Sequence, residues 1–225
     1  MCGRYQAWVD DDELVRIIER EKKGNVMRYF QRNEVFPGTV LPVIYGSYAN
    51  VRAHLSTWGY LLDGRTSAPD PAEPETVAVS AGESSAKKNS GILINARAET
   101  AASKPMFRGA STNNSPTERR ILVLTSGYYE WESPVQNAQK IRWHIRPEKP
   151  GSALLLAGLE TDLCEGVRRH VILTTEAVGS PASIHHRMPL LIRREEMRSW
   201  LYDTDFALAK MKEKRESPLV LQRAE

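Results

Sequence analysis

Cys2 is the residue of this sequence with the most distinctive potential chemistry, because it directly follows Met1. Removal of Met1 would leave a free α-amine and a free thiol on adjacent carbons. The amine of such a 1,2-aminothiol forms an imine with an aldehyde, and the thiol closes that imine to a thiazolidine ring. Reference pKa values of about 8 for an α-amine and about 8.5 for a thiol allow both to react near neutrality. Any residue can follow Met1, so Cys2 alone does not establish this chemistry.

Three further segments carry polar groups that a hydrophobic core does not require. Residues 95–100 (NARAET) follow a short apolar run, and polar groups at a strand end often form a site, although they can also cap a turn. Residues 126–131 (SGYYEW) place Glu130 on the face of Tyr128 if the segment is a strand. A surface glutamate explains that pattern equally well.

The fourth segment, residues 184–189 (IHHRMP), contains adjacent histidines. His185 and His186 point to different faces, so one metal ion cannot easily take both. A lone histidine is more often a structural residue than a catalyst. The sequence has no HExxH, GxGxxG, Walker or GxSxG motif.

Composition limits the class of protein. The chain has 225 residues, enough for a sizeable core, and only two cysteines, so a disulfide framework is not indicated. No segment approaches 18 apolar residues, which argues against a membrane-spanning or secreted protein. We therefore expect a cytoplasmic protein. The net charge of +3 permits a nucleic-acid partner without requiring one.

Hydrophobic periodicity predicts short strands and few helices. The helical patterns cover residues 10–23, 193–202 and 204–213. Strand patterns cover residues 39–45, 50–60, 92–96, 120–125, 128–132, 141–146, 153–160 and 169–175. The order predicts an α+β fold, a single domain over residues 1–225 built on largely antiparallel, barrel-like β-sheets with flanking helices. Residues 62–90 lack an apolar period and are predicted to be a mobile insertion.

Considered together, these motifs give a resemblance that none of them gives singly. The chain resembles the SRAP family, the abasic-site processing proteins that are also called SOS response-associated peptidases. The resemblance rests on four boxes in order: MCGR at the start, NARAET at residues 95–100, GYYEW at residues 127–131, and IHHRMP at residues 184–189.

The resemblance implies a DNA-repair enzyme that binds abasic single-stranded DNA and forms a thiazolidine DNA–protein crosslink, with lyase-like chemistry and autoproteolytic removal of Met1. It implies a protein associated with the nucleoid, with no cofactor, no metal and no membrane partner, and we expect a monomer. The implied catalytic residues are Cys2 as nucleophile, Glu130 as acid and base, His185 for sugar ring opening, and Asn95 for holding the sugar. The implied DNA contacts are Gly3, Arg4, Arg97, Thr174 and Arg187.

Two departures from the family pattern affect DNA recognition. Glu34 stands where relatives have an asparagine. Residues 61–90 contain no aromatic side chain, so this segment lacks the tryptophans that many relatives place against DNA bases as a wedge. Two other functions stay open: a cysteine peptidase with an N-terminal nucleophile, and a single-strand-binding module without catalysis.

Overall fold

The computed structural model describes residues 3–7, 16–17, 32–48, 50–61, 91–132, 139–162 and 167–224. The predicted insertion at residues 62–90 lies outside these ranges, as does the predicted helix at residues 10–23, apart from the helical pair 16–17. The strands are β1 (Arg4–Ala7), β2 (Arg32–Val35), β3 (Val40–Ser47), β4 (Asn50–Trp58), β5 (Tyr60–Leu61), β6 (Ile92–Leu93), β7 (Asn95–Arg97), β8 (Glu118–Thr125), β9 (Gly127–Glu132), β10 (Ile141–Pro147), β11 (Leu154–Asp162), β12 (Arg168–Glu176), β13 (Arg187–Pro189), β14 (Leu191–Ile192) and β15 (Leu219–Arg223).

Short helices connect some of these strands. The α-helices are α1 (Ala98–Ala101), α2 (Pro105–Thr112), α3 (Met197–Tyr202) and α4 (Thr204–Lys210), and two 3₁₀ turns cover Ser180–Ser183 and Arg194–Glu196. Pro105 begins α2 and Asn113, in the left-handed conformation with φ 52°, ends it. Both choices are favourable, since proline suits the first helical turn and asparagine tolerates that conformation.

The strands form two large sheets. The first sheet has the order β15-β10-β9-β1-β2, and all of its pairs are antiparallel. In the second sheet, β12, β4, β3, β8 and β11 close into a ring, because β12 pairs with both β4 and β11. Within this sheet β12 runs parallel to β4 and to β7, and its other pairs are antiparallel. The predicted α+β class with largely antiparallel sheets is confirmed.

Side-chain alternation along the ring strands creates two core layers. On β8, Leu122 and Leu124 pack in one cluster with Phe107 of α2 and Trp200 of α3. Their neighbours Ile121 and Val123 pack in a second cluster with Tyr5, Val35 and Tyr128 of the first sheet. Burial of this second layer holds the first sheet against the ring. The candidate site lies where these two sheets meet.

Candidate active site

Pairing of β1 with β9 brings the start of the chain beside residues 127–131 (GYYEW), which we call the YEW segment. Arg4 pairs with Tyr129 and Tyr5 with Tyr128. Gly3, which precedes Arg4, therefore lies at the end of the sheet that carries Glu130. Tyr128 is fully buried and Glu130 is only 4% exposed, so the predicted shared face is confirmed. A carboxyl group so far from solvent has a structural or chemical partner, and the Glu130 carboxylate is indeed engaged in the structure.

Residues 95–99 (NARAE) begin with β7, and parallel pairing of β7 with β12 positions them. Asn95 lies opposite Ile172 and Arg97 opposite Thr174. The indole of Trp58 donates a hydrogen bond of 3.0 Å to the carbonyl of Ile94, which fixes the chain immediately before Asn95. Asn95 is 8% exposed and Thr174 is buried. Asn95 is thus held at the margin of the core, where an amide can contact a small substrate.

The His185 imidazole is oriented by the backbone that follows it. Its Nδ1 lies 2.9 Å from the backbone nitrogen of Arg187, which donates to it, and 3.2 Å from the carbonyl of the same residue. The shorter contact makes Nδ1 an acceptor, so a neutral ring carries its proton on Nε2. Burial lowers the pKa of His185, and the Glu130 carboxylate acts in the opposite direction. His185 is therefore neutral at pH 7 and within electrostatic range of Glu130.

Arg187 is held by a bidentate ion pair that the sequence did not indicate. Its Nη1 and Nη2 donate to the two carboxylate oxygens of Glu99 at 2.7 and 2.9 Å, and Nη2 also donates to the carbonyl of Thr174 at 2.5 Å. Burial raises the pKa of Glu99, but the hydrogen bonds and the charge of Arg187 together with backbone hydrogen bonds outweigh burial, and the net pKa is lowered. This pairing joins the NARAE box to the IHHRMP box, because Glu99 belongs to the first and Arg187 to the second.

The other predicted DNA-binding arginines differ in their surroundings. Arg97 is exposed at the end of β7, and no ion pair engages its side chain within the residues that the structure describes. Arg4 lies 3.3 Å from Glu34, with its guanidinium over the rings of Phe36 and Trp131. Arg97 is thus the arginine most open to a phosphate.

Cys2 and Met1 lie outside the described residues, as does Cys164. In the part of the chain that is described, no three His, Cys, Asp or Glu side chains are grouped as metal ligands. None of the described helices is long and apolar enough to cross a membrane.

Sequence reasoning missed two further residues next to the site. Arg142 of β10 lies opposite Trp131 and forms an ion pair with Glu34. Phe36 is 40% exposed beside Arg4. The segment around Arg142 showed only a strand pattern, and its cross-strand partner could not be read from one sequence. Glu34 did carry a signal, because it departs from the family pattern.

Comparisons with known proteins find relatives over most of the chain. The family model described as "SOS response associated peptidase (SRAP)" matches residues 1–222. The abasic site processing protein YoqW of Bacillus subtilis is 25% identical over 205 residues, covering 89% of this chain and 80% of YoqW. The abasic site processing protein YedK of Escherichia coli is 24% identical over 208 residues, covering 89% and 79%.

Solved structures show the same fold. A protein from Bacteroides thetaiotaomicron superposes with a TM-score of 0.68 at 20% identity, covering all of this chain and 92% of the other. A phage-related protein from Bordetella bronchiseptica superposes with a TM-score of 0.63 at 21% identity, covering 99% and 94%. Because the family model spans nearly the whole sequence, the chain belongs to the SOS response associated peptidase (SRAP) family.

Proposed function

We propose that this protein processes abasic sites in single-stranded DNA by forming a covalent thiazolidine crosslink through Cys2. The observation that supports the proposal is that the start of the chain pairs with the strand of Glu130 and that Glu130 interacts with His185. Gly3 lies beside the strand that carries Glu130, and Glu130 is within electrostatic range of His185. Cys2 is the residue that directly precedes Gly3 in the sequence.

The proposed reaction begins with release of the aminothiol. Hydrolysis of the Met1–Cys2 peptide bond consumes one water and frees methionine and the Cys2 amine. In the DNA, the abasic sugar opens to its aldehyde. The amine adds to the aldehyde carbon, the resulting hydroxyl leaves as water, and the thiol then adds across the imine. One water is lost overall in the condensation, and no oxidant or cofactor is required.

Glu130 would carry the proton transfers and His185 would assist them. Opening the sugar requires a proton on the ring oxygen and removal of one from the anomeric hydroxyl. Neutral His185, with its proton on Nε2, is suited to donate a hydrogen bond to the ring oxygen as negative charge develops there. The Glu130 carboxylate is suited to accept the hydroxyl proton and deliver it to the ring oxygen, and later to move the amine proton to the departing hydroxyl. Each positioned acid or base typically contributes about 10² to 10⁴ in rate.

Asn95 and the arginines would position the strand. The amide of Asn95, at the margin of the core, would hold the sugar by hydrogen bonds. Gly3, Arg4 and Arg97 would contact phosphates, with Arg97 the most accessible of the three. Thr174 is buried against Arg187, and Arg187 is paired with Glu99, so both would act on DNA through the shape of the site. Arg187 would contact a phosphate only by sharing or leaving its carboxylate.

A denaturing gel tests the proposal directly. The purified protein is mixed with labelled single strands that differ only in one abasic site. We expect a slow-migrating, denaturant-resistant band with the abasic strand and none with the intact strand. Cys2→Ser should remove the stable band. A wild-type protein that binds both strands and links to neither would contradict the proposal and favour a single-strand-binding module.

A peptidase that acts on other proteins would use the same Cys2 and Glu130, and the family name includes that activity. It would need a peptide groove and an oxyanion hole near Cys2. Turnover of unrelated peptides at rates above the single release of Met1 would favour this alternative over the crosslinking function.

A further inference from the structure

The outer face of the first sheet carries a compact cluster of arginines and aromatic rings at the end nearest the candidate site. We call Arg4, Glu34, Phe36, Trp131 and Arg142 the rim cluster. Register places them together: Arg4 pairs with Tyr129, two residues before Trp131, and Arg142 pairs with Trp131. Glu34 and Phe36 flank buried Val35, so their side chains share the opposite, outward face.

The two guanidinium groups lie over aromatic rings and share one carboxylate. The Arg4 Cζ is 4.6 Å from the ring centroid of Phe36 and 5.0 Å from that of Trp131. The Arg142 Cζ is 4.1 Å from the ring of Tyr129. Glu34 receives Arg4 at 3.3 Å on one oxygen and Arg142 on the other. Within the rim cluster, two guanidinium groups therefore share one carboxylate.

Phe36 is presented by a rigid turn. The carbonyl of Phe36 accepts a hydrogen bond of 3.2 Å from Thr39, and Gly38 between them has φ +88°. With Pro37 before the glycine, these are the features of a type II turn. The Gly38 amide also donates to the carbonyl of Trp58 at 2.7 Å. The turn therefore keeps an apolar ring 40% exposed beside a cation at little cost in conformational entropy.

We propose that the rim cluster binds one unpaired nucleotide of the DNA strand that leads to the abasic site. The base stacks on Phe36, and the phosphate takes guanidinium donors of Arg142 and Arg4 in exchange for Glu34. Unpaired bases expose an aromatic face that can stack on Phe36, and phosphates are natural acceptors for the two guanidinium groups of the rim cluster. The inference rests on the proposed function for the strand's identity, but its residues are separate from those that carry the chemistry.

Glu34 has a defined role in this site. It holds the two guanidinium groups in place over their rings before DNA arrives, and its charge competes with the incoming phosphate. Removing that charge while keeping the shape of the side chain should therefore strengthen binding. A purely structural ion pair would give the opposite result.

Binding of an intact, fluorescently labelled oligothymidine single strand tests the inference without any crosslinking. Phe36→Ala should weaken binding roughly ten-fold at constant salt dependence, as loss of one stacked base does. Arg142→Gln should weaken binding and reduce the slope of log K against log salt by about 0.7. Glu34→Gln should tighten binding about three-fold, because its phosphate competitor is gone.

Matched controls come from α2 and α3. Met106→Ala removes an apolar side chain that is 45% exposed, and Arg198→Gln removes a guanidinium that lies 5.3 Å over the exposed ring of Tyr202. Neither should change the affinity more than about two-fold. Wild-type affinity in Phe36→Ala, or no increase in affinity in Glu34→Gln, would overturn the proposal that the rim cluster binds a nucleotide. If Phe36→Ala does not fold, the Glu34→Gln variant still tests the proposal. The separate crosslinking gel on the wild-type protein decides the proposed function independently.

Discussion

Acid should destabilise this protein through one histidine that lies close to the site strands. His170 of β12 is completely buried, with Nδ1 at 3.0 Å from the hydroxyl of Ser56. Burial, aided by the charge of His54, lowers the pKa of His170 to about 3. In the unfolded chain the imidazole returns to a pKa near about 6.5.

The sign follows from which state binds the proton. Between about pH 6.5 and pH 3 the unfolded chain binds a proton at His170 that the folded protein excludes. The contribution of the neutral His170 ring to the free energy of unfolding is therefore fully present above about pH 6.5, and it falls by about 1.4 kcal/mol for each pH unit below that value. At pH 5 the loss is about 2 kcal/mol, a substantial part of a typical total of roughly 5–15 kcal/mol.

Urea denaturation at pH 7.5 and pH 5.0 measures this loss. His170→Asn keeps an amide near the position of Nδ1 but cannot titrate. Between the two pH values, the unfolding free energy of this variant should therefore fall by about 2 kcal/mol less than that of the wild type. Equal pH dependence in the variant and the wild type would refute the reasoning. The result matters for function, since a crosslinking assay in mild acid would otherwise confuse unfolding with loss of catalysis.

Four further predictions concern the site. Glu130→Gln and His185→Ala should each slow crosslinking by about 10² or more while binding of intact strands stays within about two-fold; rates equal to wild type would make both residues structural. Because burial lowers the pKa of His185, the crosslinking rate of the wild-type protein should persist below about pH 6.5 and decline only in more acidic buffer, measured at pH values at which the protein is shown to be folded. Arg97→Ala should reduce the salt slope of binding by about 0.7, and Arg187→Ala by less, because Glu99 already neutralises Arg187; the reverse order would contradict the assignment. Cys2→Ala should give a link that is trapped only by borohydride, since its amine forms an imine that cannot close; a stable link from this variant would exclude the thiazolidine.

The sequence indicated the strand framework because that information is local. All eight predicted strand patterns correspond to observed strands, and the alternation in the YEW segment correctly placed Glu130 beside Tyr128. The helix α2 was missed although Pro105 and Asn113 marked its ends, because its small polar residues hid the apolar face of Phe107 and Ala110.

Pairing between distant segments was not available from local patterns. Arg120 is fully buried, with its Nε donating a hydrogen bond of 2.6 Å to the carbonyl of Trp200, which lies 80 positions away in the sequence. The pairs Glu99–Arg187 and Glu34–Arg142 likewise join residues about 90 and about 110 positions apart. Such contacts depend on how the sheets assemble, so the roles of these arginines follow only from the structure.

The mass of the intact covalent complex is the most direct test of the central claim. The protein is incubated with an abasic single strand, without reductant, and the product is measured by mass spectrometry under denaturing conditions. The proposed mechanism predicts the mass of the protein lacking Met1, plus the abasic strand, minus one water, with the modification mapped to Cys2. A stable adduct that retains Met1, or one that maps to a lysine, would contradict the aminothiol mechanism.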